Sequence, residues 1–172
     1  MKTAIINSET YEKHDTGNGH PEQPKRVIAI KEKLKKRKDL IWDKPDNVPD
    51  KILSMTHSKD YINNLKNSFP QKGLKFLDGD TVVSPDSKKA VFDAAGSTIR
   101  AIDGIENNEF RNAFCLARPP GHHAEKNKAM GFCCISNAGV ATNYLVTRYK
   151  YNRIACVDFD VHWGNGNYDV MR

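Results

Sequence analysis

Short apolar runs alternate along this chain with stretches whose apolar residues recur at helical spacing. Thr3 to Asn7 (TAIIN) reads as a buried strand, and a loop rich in Gly, His and Asp follows as far as Pro24. Val27, Ile30 and Leu34 then repeat with a helical period, and Pro24 suits the first turn of that helix. A second short strand is expected from Ile52 to Thr56, with a helix from about Ser58 to Lys66. The segment GDTVVSPDSKKAVFDAAGSTIRAIDGI predicts a turn and a long helix. Ser84 or Asp86 stands at its start, and Ala90, Val91, Ala94, Ala95, Thr98 and Ile102 form its apolar stripe. Ala113 to Leu116 reads as a third strand, Asn137 to Tyr149 as a helix and Arg153 to Asp158 as a fourth strand. Strands alternating with helices imply an α/β fold, a parallel sheet flanked by helices. No internal repeat, low-complexity tract or linker divides residues 1–172.

Composition narrows the classes. The 172 residues carry 27 Lys+Arg against 21 Asp+Glu, a formal charge of +6, with 38% hydrophobic and 9% aromatic residues. This is one globular domain's worth of chain, neither disordered nor collagen-like. No apolar run approaches the ~20 residues that span a bilayer, and the opening MKTAIINSETYEKHD is too polar for a secretory leader. The expected location is therefore cytoplasmic, without a membrane partner. Cys115, Cys133, Cys134 and Cys156 form no C-x-x-C pair and read as reduced, buried thiols. Much of the positive charge lies in KEKLKKRK, Lys31 to Lys38, which reads as the solvated outer face of the basic helix. No aromatic interleaving, zinc finger or RNP-like run accompanies it, so no nucleic-acid partner is expected.

Ligands of parallel sheets sit at the carboxyl ends of the strands. Two polar clusters fall there: RPPGHHAEKNKAMGFCC after the third strand and DFDVHWGNGN after the fourth. In an extended segment Asp158, Asp160 and His162 share one face, with Phe159 and Val161 on the other. Asp160 and His162 then suit Zn²⁺ through oxygen and nitrogen, and Asp158 suits a supporting place behind them. Taken alone, D-x-D-x-H reads equally as a capped strand end with an incidental His. Beside it, Pro119, Pro120 and Gly121 present His122 and His123 on a stiff, tightly turned loop. Two adjacent imidazoles near a metal suit acid/base work on a metal-bound water and a leaving group.

With these residues in view, RPPGHHA, MGFC, DFDVHxGNG, GHPEQPKR, HSKDYI and LDGDTVVSPDS together resemble the histone deacetylase family. The likeness is to its class II-like bacterial members and to the acetylpolyamine and acetoin-utilisation deacetylases, and runs in order from about His14 to Gly166. It implies the arginase/deacetylase fold and zinc-dependent removal of acetyl groups. Acetylated lysine, polyamines and small acetylated metabolites are all candidate substrates. By matched position, Asp160 and His162 are implied as zinc ligands, and His122, His123 and Asp158 as the catalytic group, with Asp158 bonded to His122. Phe132 and Gly131 are implied in the substrate tunnel, Asp80 at its rim and Arg26 at an acetate channel. A K⁺ site at the carbonyls of Asp158, Asp160 and His162 is implied too. Gly164 stands where two-manganese relatives place a further Asp, which favours one metal.

Three departures matter. Trp163 replaces a usual His, CCISNAG departs from a usual asparagine pair, and Asn165 faces His123 with a neutral amide. The family domain also continues past the matched region, where a third zinc ligand, the opposite tunnel wall and an oxyanion-stabilising Tyr are expected. Asp169 is of the right type for that ligand but at no matched position. The chain therefore reads as the N-terminal part of a single deacetylase domain, ending after the fourth strand. On this reading a complementing C-terminal half or a homo-oligomer completes it. The alternative is a non-catalytic remnant or partner-binding fragment.

Overall fold

The structure, a computed structural model, describes residues 2–172. Five strands form: β1 (Thr3–Ile6), β2 (Leu40–Asp43), β3 (Lys75–Phe76), β4 (Val82–Val83) and β5 (Asn112–Cys115). The helices are α1 (Thr10–Lys13), α2 (Lys25–Leu34), α3 (Asp50–Thr56), α4 (Lys59–Lys66), α5 (Ser87–Glu106), α6 (Asn137–Tyr149) and α7 (Asn165–Met171).

β1 takes the centre of the sheet because TAII is apolar towards both faces. It pairs in parallel with β2, Thr3 opposite Leu40, and with β5, Thr3 opposite Asn112, in the order β2-β1-β5. Ile5 packs with Leu40 and with Val27 and Leu34 of α2, whereas Ala4 and Ile6 pack with Phe110 and with Ala101 of α5 on the opposite face. Both faces are covered, as a parallel sheet requires. The small side chains of α5 let it serve two further cores besides the one around Ala101. Ala90 and Ala94 meet Tyr11, while Val91, Ala95 and Ile99 join Ile52, Leu53, Ile62, Leu65 and Val140 of α3, α4 and α6. β3 and β4 form a separate antiparallel pair, Lys75 opposite Val83.

The expected strand Ile52–Thr56 is instead α3. Pro49 is extended at the N-cap, and Ile52, Leu53 and Thr56 are buried together at helical spacing. A short apolar run cannot be told from a strand by periodicity alone. The fourth strand, Arg153–Asp158, is not a strand either: among the described residues β5 pairs with β1 only, and residues 153–158 make no ladder hydrogen bond. The sheet therefore has three strands rather than four. The alternation nonetheless survives, since Val157, Phe159 and Val161 are 82%, 95% and 92% exposed while Asp158 and Asp160 turn towards the histidine loop. Contrary to the expectation that all four thiols are buried, Cys156 is exposed; Cys133 and Cys134 are buried, Cys115 half-buried, and all four are free thiols. The basic helix ends at Leu34, and Lys33, Lys35, Lys36 and Lys38 are exposed as a solvated face should be. Among the described residues no helix is long and apolar enough to cross a membrane.

A buried polar node locks the loops at the sheet rim. Arg118, fully buried, meets Glu22 through Nε–Oε1 (2.6 Å) and Nη2–Oε2 (2.9 Å) and also donates to the carbonyls of Tyr11 and His14. His14 in turn meets Ser87 Oγ at 2.6 Å. His57 links the carbonyl of Glu125 (2.9 Å) to the amide of Ser136 (3.0 Å) and so joins α3 to the start of α6. Burial pushes both imidazoles down to about 4, assisted at His14 by the Arg118 guanidinium. A histidine lowered on folding contributes fully only above its unfolded value of ~6.5, and that contribution is lost as the pH falls towards 4. Stability should therefore fall between pH 6.5 and 4 with a slope approaching roughly 2.7 kcal/mol per pH unit for the two together. Urea midpoints measured across that window test it; a flat profile would refute the assignment of both histidines as buried and neutral.

Candidate functional site

The loop after β5 carries His122 and His123 over the N-terminus of α7. That helix is held close because Gly166 has no side chain: a Cβ there would lie 2.4 Å from the Ala124 carbonyl oxygen and 2.5 Å from the His123 carbonyl carbon. The amide of Asn167 then donates to the carbonyl of His122 at 3.1 Å. Two side chains of the same segment orient the imidazoles. Asp158 Oδ2 meets His122 Nδ1 at 3.1 Å, and Asn165 Oδ1 meets His123 Nδ1 at 2.6 Å. Asn165 donates through Nδ2 to Glu125 at 2.7 Å, so its oxygen is the atom facing His123. Both imidazoles therefore donate through Nδ1. Their ring centroids are 4.0 Å apart.

Asp158 also accepts from Asn167 Nδ2 at 3.1 Å and from the Asp160 amide at 3.2 Å, which fixes the carboxylate behind His122. Asp160 Oδ1 accepts from the His162 amide at 2.8 Å, lies 2.9 Å from His162 Nδ1 and stands 4.0 Å from His122 Nε2. Those His162 contacts hold the Asp160 carboxyl below the usual range. The rings of His123 and His162 are 5.9 Å apart.

One hollow of about 350 Å³ is lined by His122, His123, Asp160 and His162, and by Arg26, Asp80, Gly131 and Phe132. Eight of the nine residues singled out in the sequence thus meet there, and the ninth, Asp158, supports His122 from outside it. Gly131 (φ 56°) and Phe132 (φ 67°) both adopt the left-handed region. A Cβ on Gly131 would strike the His123 ring at 2.4 Å, so glycine is required twice over. The Phe132 turn is secured from the β3–β4 hairpin: Asp80 accepts from the Gly131 amide (3.2 Å) and Thr81 from the Phe132 amide (3.1 Å). Arg26 reaches the hollow while Nη1 donates to Glu22 at 3.2 Å.

The donor set can be compared with zinc directly. Asp160 Oδ1 and His162 Nδ1 are close enough to serve as two ligands of one small cation, and catalytic zinc ordinarily takes three from the protein. Among the described residues no group of three or more His, Cys, Asp or Glu is arranged to hold a metal ion. Asp169 does not extend the pair, since its carboxylate accepts the Lys126 amide at 2.8 Å. Two corners fit and a third is not supplied by these residues.

Asn167, Glu125, Thr81, Glu22 and Arg118 escaped the sequence reading. Asn167 alone left a signal, as the second amide of the GNGN run. The others act through partners 40 to 107 positions away in the chain.

Comparison with known proteins bears on the family and the fold. The histone deacetylase domain profile matches residues 20–172. An uncharacterized protein of Synechocystis sp. is 42% identical over 95% of this chain and 55% of its own length. Histone deacetylase 5 of Arabidopsis thaliana is 35% identical over 99% of this chain and 28% of its own length. A probable deacetylase of Archaeoglobus fulgidus is 29% identical over 99% and 48%, respectively. Among solved structures, the HDA15 HD domain superposes with a TM-score of 0.88 at 30% identity, covering 98% of this chain and 50% of the other. The chain thus spans about half, or less, of the length of the relatives it matches.

Proposed function

This chain belongs to the histone deacetylase family, and on that footing we propose that it carries the histidine side of a zinc-dependent deacetylase site. Its substrate is then an acetylated amine: an acetylated lysine, polyamine or small metabolite. The observation that carries the reading is the single hollow in which the two imidazoles, the Asp160–His162 pair and Phe132 converge.

Asp160 and His162 are the residues that would hold the zinc, with a third ligand they do not provide. When bound, the ion polarises the amide carbonyl and acidifies water, chemistry that a poor electrophile needs. The remaining work falls to the chain's own groups. His122 and His123 present Nε2 to the hollow, where the proton that the imidazole pair takes from water becomes the one it delivers to the departing amine. Asp158 and Asn165 keep both rings in the required tautomer. Phe132 walls the acyl chain, Arg26 offers a cation to the acetate formed, and Asp80 holds the Gly131–Phe132 turn at the rim.

The partner-binding fragment is the second reading, favoured by the exposed Val157, Phe159 and Val161. A fluorogenic acetyl-lysine substrate with graded zinc separates the two. Turnover that rises to one zinc per chain and disappears on chelation is the expected result. No turnover at any zinc level, with the fold intact, would leave the fragment reading standing.

A further inference from the structure

A second hollow, about 630 Å³, opens on the far side of Phe132 and shares Pro21, Asp80 and Phe132 with the first. Its remaining apolar wall comes from Leu74, Phe76 and Val82 on the β3–β4 hairpin. Phe76 is 64% exposed and Leu74 45%, a conspicuous placement for large apolar side chains on a short, well-tied hairpin. The hairpin is fixed relative to the site because Asp80 and Thr81 bind the amides of Gly131 and Phe132. The ring of His20 meets Phe132 edge-on, with centroids 4.7 Å apart.

We propose that this hollow is a substrate subsite, and that it takes a bulky apolar side chain next to the acetylated lysine of a peptide. The inference rests on the deacetylase reading and narrows its substrate class. Continuity carries it: a residue whose acyl chain lies along one side of Phe132 places its sequence neighbour over the other side. Charge points the same way. The only acid lining the hollow is Asp80, whose Oδ1 accepts from Gly131 and Thr81, so the lining sets one carboxylate, tied at one oxygen, among apolar side chains, a poor match for a polyamine. The chain's net +6 also repels a polycation at long range.

Equilibrium binding to the zinc-treated 172-residue chain tests this without requiring turnover. The probes are two peptides, Phe-Lys(acetyl)-Phe and Gly-Lys(acetyl)-Gly, their unacetylated forms, and N-acetylspermidine as competitor. The Phe-flanked acetyl peptide should bind about tenfold more tightly than the Gly-flanked one, the size expected for partial burial of one aromatic side chain. Phe76→Ser should bring the ratio close to one, and Phe76→Leu should keep most of it. Equal affinity of both acetyl peptides, each above its unacetylated form, would overturn the subsite and leave the deacetylase reading intact. So would N-acetylspermidine outcompeting the Phe-flanked peptide, or an undiminished ratio in Phe76→Ser. No preference for acetyl over free lysine in either sequence would overturn both readings together.

Discussion

Arg118→Met is expected to remove roughly 3–5 kcal/mol of stability, the usual result of leaving one buried charge without its partner. Domains of this size are stable by only ~5–15 kcal/mol, so the variant should be largely unfolded well below the wild-type midpoint. The reason is local. Glu22 is almost fully buried, and its bidentate contact is with the Arg118 guanidinium; its other cation, Arg26, is more than half exposed. The same substitution strips donors from the carbonyls of Tyr11 and His14, which anchor the loop before α2. Pairing it with Glu22→Leu should recover most of the loss, because an apolar pair of similar volume often matches or exceeds a buried ion pair. Chemical denaturation of the two single variants and the double variant measures the cycle. A loss below about 1 kcal/mol for Arg118→Met would show that the node is better hydrated than its burial implies.

His122→Ala should lower acetyl-lysine turnover by ~10²–10⁴-fold, the range a positioned acid or base supplies. Asp158 acts through His122 rather than on the substrate. Asp158→Asn should therefore reduce kcat with KM little changed, since the amide can present a donor to Nδ1 and return the imidazole in the wrong tautomer. The crowded carboxylate sharpens this expectation: Asp158 accepts from His122, Asn167 and the Asp160 amide at once, and an amide cannot accept through its nitrogen. If Asp158→Asn raised KM alone, the residue would be shaping the pocket and not aligning the imidazole.

Much of the architecture was legible because its elements carry strong periodicity. β1, β5, α4, α5 and α6 fall where the apolar pattern puts them, α6 from Asn137 to Tyr149 as expected. Elements were lost where the signal is short or contradictory. β2 is only LIWD behind a lysine run, and β3 and β4 are two residues each. α7 begins NGN after a Gly164 N-cap, a composition that reads as a turn; it is helical here because Asn165 and Asn167 reach His123, Asp158 and Ser136 while Gly166 lies against the histidine loop. Residues 153–158 show the reverse error, strand-like in sequence but without a neighbour to pair with.

The site was more legible than the sheet, since its residues sit in two compact motifs whose spacing fixes them locally. What lay beyond reach was long-range support. Nothing in GHPEQPKR says that its glutamate will meet the arginine of RPPGHH across 96 positions. Nor does LDGDT show that Asp80 and Thr81 will hold the backbone of Gly131 and Phe132.

Ring-nitrogen NMR spectra of ¹⁵N-histidine-labelled protein, recorded before and after one equivalent of ZnCl₂, ask whether the metal pair and the imidazole pair form one centre. The prediction is a direct shift of the His162 Nδ1 signal, with His122 and His123 perturbed in the same titration and all three changes absent in Asp160→Ala. Zinc that moves His14, His20 or His57 instead, or that leaves His122 and His123 untouched while binding at His162, would contradict the shared site.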